Sequence, residues 1–145
     1  MPSPRLALCA VYAAIALAAL IATWSQNLAY FSSPADFIPA LGLFLDDTRV
    51  NPAARSITVD VALLFLAAAI FMVIEARKHN IRAVWLYIAG GLFIAISVTF
   101  PIFLIARELK LAEPDAKNLR AIDIGLLTTF TALITGLSLY VLRLI

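Results

Sequence analysis

The sequence predicts an all-α fold: an integral membrane four-helix bundle with a short amphipathic segment between helices 1 and 2, read as a single domain over residues 1–145. Three observations lead there. The 145 residues are 63% hydrophobic and 14% charged, against about half and about a quarter in a soluble domain. The mean hydropathy is +0.99. The apolar residues fall in four runs, approximately 6–24, 53–75, 83–106 and 121–142, each long enough to cross a hydrocarbon layer of about 30 Å.

The same composition excludes other classes. A net charge of +2, with no run of like charges and no basic patch interleaved with aromatics, argues against nucleic acid as a partner. Cys9 is the single cysteine, so no disulfide forms within the chain. No useful apolar stretch precedes it, which argues against a lipoprotein signal. His79 is the single histidine, with no cysteine near it, so no metal site is expected and no cofactor is implied.

The first run, Leu6 to Trp24, begins after Arg5. Its small-x-small triplet Ala16-Leu17-Ala18 lies inside the apolar run, so a retained helix is expected rather than a cleaved signal. Ala10, Ala14, Ala18 and Ala22 recur every fourth residue, a stripe that lets another helix approach closely. Trp24 suits an interfacial anchor.

Ser25 to Val50 is the longest connection. Phe37, Leu41, Phe44 and Leu45 fall on one helical face, so a short helix starting at Ser33 or Pro34 and ending before Asp46 is expected there. It would lie on the membrane surface or form a lid, with Tyr30, Phe37 and Phe44 as its aromatic residues. Pro39 argues for a short or broken helix.

The second span opens with Asn51, a good N-cap, and Pro52, suited to the first helical position. From Ser56 to Ile74 it carries one charge, Asp60. Glu75, Arg77 and Lys78 mark the return to water, and a basic turn follows through His79, Asn80 and Arg82. The third span runs from Ala83 to Ile105, with Trp85 and Tyr87 at its start, Gly90 and Gly91 allowing close packing, and Pro101 kinking it near Ser97 and Thr99. After a mixed-charge loop from Arg107 to Arg120, the fourth span presents Gly125, Thr128, Thr129, Ala132, Thr135 and Gly136 on one face. That face is expected to pack on another helix, with its hydroxyls bonded to their own backbone.

Several blocks taken together are specific: NPAARSITVD, then IEARK, a short turn to WLY, and FPIFLIARE. In this order and spacing the chain resembles a small bacterial multi-pass membrane family known as a domain of unknown function (number 2834). The likeness covers roughly Trp24 to Glu108, with Tyr30-Phe31 fitting as well. It implies a multi-pass protein of the bacterial plasma membrane and lends no catalytic residues.

Ionisable groups at membrane depth are costly and rarely face lipid. Four even crossings would bring Arg55, Asp60, Arg107, Glu108, Arg120 and Asp123 to one end, beneath the Ser25–Val50 segment. Asp60, Asp123 and Glu108 are the candidate catalytic residues there, as acid, base or cation ligand. The plainer expectations are that Asp60 pairs with an arginine and that Asp123 favours a helix dipole. Even crossings also put both termini on one side, with the Glu75–Arg82 turn; total Lys and Arg favour neither side, and only their density at that turn suggests the cytoplasm. Whether the chain is an enzyme stays open. The leading expectation is a non-catalytic lipid-binding protein or accessory subunit, with membrane lipids, a second copy or a larger complex as partners. The alternatives are a small intramembrane enzyme acting on a lipid or isoprenoid through Asp60, and an oligomeric transporter component.

Overall fold

The structure, a computed structural model, describes residues 3–31, 37–115 and 119–143, without the side chain of Phe37. The regular elements among the described residues are all helical: α1 Pro4–Asn27, a short 3₁₀ turn Leu28–Tyr30, α2 Phe37–Asp47, α3 Pro52–Lys78, α4 Val84–Gly90, a π-helical turn Gly91–Ala95, α5 Ile96–Glu108 and α6 Ala121–Val141. Four stretches are long and apolar enough to cross a membrane: Pro4–Tyr30, Pro52–Lys78, Val84–Glu108 and Ala121–Val141.

The helix starts follow from local chemistry. Ser3 caps α1 by accepting the Leu6 N–H at 3.3 Å, and Pro4 takes its first position. Asn51 caps α3 by accepting the Ala54 N–H at 2.8 Å, with Pro52 at the first turn. A side-chain cap of this kind contributes about 1 kcal/mol. Ser33 and Pro34, the expected start of the surface helix, lie outside the described residues; at its other end the helix runs past the expected stop before Asp46 and takes in Asp46 and Asp47. Pro39 falls in the first turn of α2, where a missing N–H breaks nothing.

The third apolar stretch is not one straight rod. Tyr87 and Phe103 would lie about 24 Å apart along a continuous helix, yet their rings meet edge-on at 5.6 Å. A Cβ built on Gly90 would come within 2.9 Å of Thr99 Cγ2, and one on Gly91 within 3.2 Å of Thr99 Oγ1. The chain therefore doubles back. The π turn ends at Ala95, which is extended (φ 179°, ψ 142°), and α5 returns beside α4 as the second arm of a helical hairpin. The break expected at Pro101 occurs instead around Ala95; Pro101 lies buried inside α5, and the Thr99 hydroxyl donates to the Ala95 carbonyl at 3.4 Å.

The reversal makes α5 run parallel to α3: Phe71 meets Phe100 at 6.0 Å, and Glu75 meets Arg107 a turn further on. It makes α5 antiparallel to α1, because Arg5 Nη2 donates to the Leu111 carbonyl at 2.7 Å while Trp24 Nε1 donates to the Ile94 carbonyl at 3.2 Å. The core lies where these elements converge, among Met72, Ala76, Ile81, Val84 and Phe103. Ala10, Ala14 and Ala18 are exposed, so the alanine stripe is not the packed face of α1; Cys9, Tyr12, Ala16 and Ala19 are turned inward instead. α6 buries none of its residues, so among the described residues its small-residue face is not a packed one. Its hydroxyls do bond back: Thr128 to Ile124, Thr129 to Gly125 and Ser138 to Ile134.

Close approach of the arms depends on Gly91. An added Cβ would also strike the Phe65 ring at 2.8 Å. Gly91→Leu should lower stability in detergent by about 1–3 kcal/mol, the cost of forcing extra methylenes into a packed contact. The same change at Gly125, with open space around it, should cost far less. Equal thermal shifts in the two variants would contradict the hairpin.

Candidate functional site

The charged side chains gather around Glu75, at the C-terminal end of α3. Glu75 is only 7% exposed. Arg107 Nε donates to Glu75 Oε2, and its Nη1 donates to Asp115 Oδ2, so one guanidinium ties α3 to α5 and to the segment after it. Lys78 Nζ lies 3.8 Å from Glu75 Oε1. His79 Nε2 lies 3.3 Å from Glu75 Oε2 but off the line of a hydrogen bond. Glu108, 1% exposed, accepts the Asp115 N–H at 3.2 Å. Arg107 and Glu108 therefore sit about 22 Å along the bundle from the level of Asp60; the hairpin returns them to the Glu75 end.

Most of the expected Asp60 cluster consequently does not form. Asp60 is exposed and makes no hydrogen bond or ion pair among the described residues. Arg55 donates to the Arg49 carbonyl at 2.8 Å. Among the described residues Arg120 and Asp123 pair with each other: Asp123 Oδ2 accepts the Arg120 N–H at 2.9 Å and its Nε–H at 3.3 Å, which closes the start of α6. In the expected lid, Tyr30 meets Phe44 edge-on at 5.6 Å and donates its hydroxyl to Asp47 at 2.6 Å. Phe37 begins α2, but its side chain lies outside the described residues.

The turn after α3 shapes the rest of the site. Asn80 is left-handed (φ 51°), and the Ile81 N–H reaches back to the Ala76 carbonyl at 2.9 Å. This is a Schellman closure, with Ile81 packed on Ala76 as its apolar clasp. Ala83 is also left-handed, at φ 59°. That is a costly conformation for a residue with a Cβ, held because Ile81 and Val84 are both buried in the core on either side of it.

Beside this turn opens a groove of about 960 Å³, lined by Ala76, Arg77, Asn80, Ile81, Arg82, Ala83, Val84, Trp85, Tyr87, Ala106 and Lys110. A smaller apolar furrow of about 260 Å³ shares Arg82, Ala83 and Tyr87 with it and runs on between the hairpin arms past Leu86, Thr99 and Ile102. Neither is lined by Glu75, Glu108, Asp115 or Asp60. The charged groups on the wall are cations, which can hold an anion but offer no carboxylate for acid–base chemistry. Among the described residues no three His, Cys, Asp or Glu are placed to hold a metal.

The groove had a weak signal in the sequence, the basic turn followed by Trp85 and Tyr87. Lys110 joins it only because the third span doubles back; a straight span puts Lys110 at the opposite end. A family model described as "Protein of unknown function DUF2834" matches residues 11–109. No curated protein and no solved structure matches the chain.

Proposed function

Because the chain belongs to the DUF2834 family, whose description carries no activity, we propose from its geometry that it is a non-catalytic, lipid-binding protein of the membrane. The furrow between the hairpin arms carries this reading. It is open to the surroundings through Leu86, 73% exposed, and Ile102, 42% exposed, and it leads into the groove at the water-facing turn. An apolar track joined to a polar end matches the division of a phospholipid into acyl chain and headgroup. The acid–base reading at Asp60 loses its support, since Arg107 and Glu108 lie at the other end.

The test uses the full chain released from lipid nanodiscs into native mass spectrometry. Wild type should retain a defined phospholipid, and Ile102→Trp, which fills the furrow, should lose it with helicity unchanged. Retention of no lipid by wild type, or equal retention by Ile102→Trp, would remove the reading.

The hairpin also changes the membrane topology we propose. If α1, α3 and α6 cross and the hairpin enters and leaves on one side, the Arg5 end and the Arg143 end lie on opposite faces. Arg5, Arg77, Lys78, Arg82, Arg107, Lys110 and Arg120 then share one face, against Arg49, Arg55 and Arg143 on the other. That asymmetry favours a cytoplasmic Glu75 end. A reporter fused before Pro4 should read cytoplasmic and one fused after Arg143 should read external. Matching readings at both ends would favour four full crossings instead.

A further inference from the structure

We propose that the groove is a headgroup site for an anionic phospholipid, its phosphodiester held among Arg77, Arg82 and Lys110 and one acyl chain lying in the furrow past Leu86 and Ile102. The proposal rests on the lipid-binding reading above and adds the charge class of the lipid.

The three cations come from three places in the chain: the last turn of α3, the turn after it, and the segment following α5. None of their side chains makes a hydrogen bond or ion pair among the described residues. Neighbouring cations behave otherwise. Arg107 is bound to two carboxylates, Lys78 lies near Glu75, and Arg5 donates to the Leu111 carbonyl. The local carboxylates Glu75 and Glu108 are buried away from the groove. The wall therefore carries like charges that repel one another until an anion enters, and clefts lined by one sign of charge concentrate the opposite ion. A guanidinium offers a planar fork to phosphate oxygens, and an ammonium adds a point charge. A zwitterionic head brings its own cation into this wall; a head with a net negative charge does not.

Two further features favour a lipid over a solute anion. Trp85, 64% exposed, and Tyr87 flank the cations, the residue types that settle at headgroup level. The furrow continues from Arg82 and Ala83 into apolar surface, which a free phosphate would not use. The turn is held in place by buried Ile81 and Val84, so the backbone that carries Arg82 is positioned before a ligand arrives.

The test takes the full chain in nanodiscs. The chain has two tryptophans, so Trp24→Phe leaves Trp85 as the single fluorophore. Phosphatidylglycerol or phosphatidylcholine with brominated acyl chains is titrated against unlabelled phosphatidylcholine. Quenching should half-saturate at a lower fraction of brominated phosphatidylglycerol than of phosphatidylcholine. Each cation near a membrane surface is worth about fivefold in binding. Arg82→Gln with Lys110→Gln should therefore raise the fraction of phosphatidylglycerol needed by about 25-fold, leave the response to phosphatidylcholine unchanged, and be reversed by Arg82→Lys with Lys110→Arg. Equal quenching by both lipids in the Trp24→Phe protein would overturn the anionic preference and leave lipid binding standing. Quenching by neither would overturn both. Complete displacement of brominated phosphatidylglycerol by millimolar inorganic phosphate would show a solute anion site and overturn the lipid as its occupant.

Discussion

Arg107→Leu should lower the stability of the folded protein in detergent by about 3–5 kcal/mol, the cost of leaving one member of a buried ion pair alone. Arg107 joins α3 to the hairpin and to the segment beyond it, through Glu75 and Asp115, and its guanidinium also lies 6.0 Å from the centre of the Phe71 ring. Its removal leaves the Glu75 carboxylate, 7% exposed, with Lys78 at 3.8 Å and His79 at 3.3 Å as its remaining neighbours. Neither replaces a guanidinium that reaches two carboxylates at once, so Arg107→Lys should recover only part of the loss. Glu75→Gln combined with Arg107→Leu should cost less than Arg107→Leu alone, because the stranded charge is gone. Asp115, with its side chain 48% exposed, is the weaker arm, and Asp115→Asn should cost under about 1 kcal/mol. The measurement is thermal unfolding of each variant in the same micelle. An unchanged midpoint for Arg107→Leu would mean that the cluster ties nothing together.

That one side chain also shows how far the sequence could be read. Hydropathy identifies four apolar stretches, because crossing lipid requires long apolar runs whatever the arrangement. Capping chemistry places the start of α3, because Asn51 and Pro52 act on the adjacent N–H groups. What hydropathy does not carry is direction. A helix of 25 apolar residues and a hairpin of two shorter ones have the same composition, and the glycines Gly90 and Gly91 are equally suited to close packing in either. A straight stretch would carry Arg107 and Glu108 to the Asp60 end and make Glu75 an ordinary boundary residue; the hairpin brings Arg107 to Glu75. A straight stretch also separates Arg107 and Lys110 from Arg77 and Arg82, with which they share the Glu75 end. Asp60 stands out in the sequence because a carboxylate in an apolar helix is costly. It has no hydrogen-bond or ion-pair partner among the described residues, and the polar chemistry collects at the opposite end, where each charge is unremarkable alone.

Phe103→Ala is the second large effect, and its size reports on the surroundings of the core. Phe103 is fully buried, wedged among Met72, Ala76, Ile81 and Val84 with its ring against Tyr87. In a water-soluble core such a truncation costs about 3–5 kcal/mol, part transfer from water and part cavity. In a lipid-solvated chain the separated helices already rest in hydrocarbon, so the transfer part largely falls away and lost packing remains. A cost of about 2–3 kcal/mol is therefore expected, with Phe103→Leu below about 1.5 kcal/mol. The same ring holds the first arm of the hairpin against the second, so its loss should also loosen the furrow past Leu86 and Ile102 and weaken lipid retention. Phe71→Ala is the control: Phe71 touches Phe100 at 6.0 Å but lies 39% exposed and lines neither the groove nor the furrow, so it should lose some stability and keep its lipid. If Phe103→Ala kept full lipid retention while losing stability, the hairpin contact would be structural only, and the furrow would have to be held open by the Gly91–Thr99 contact alone.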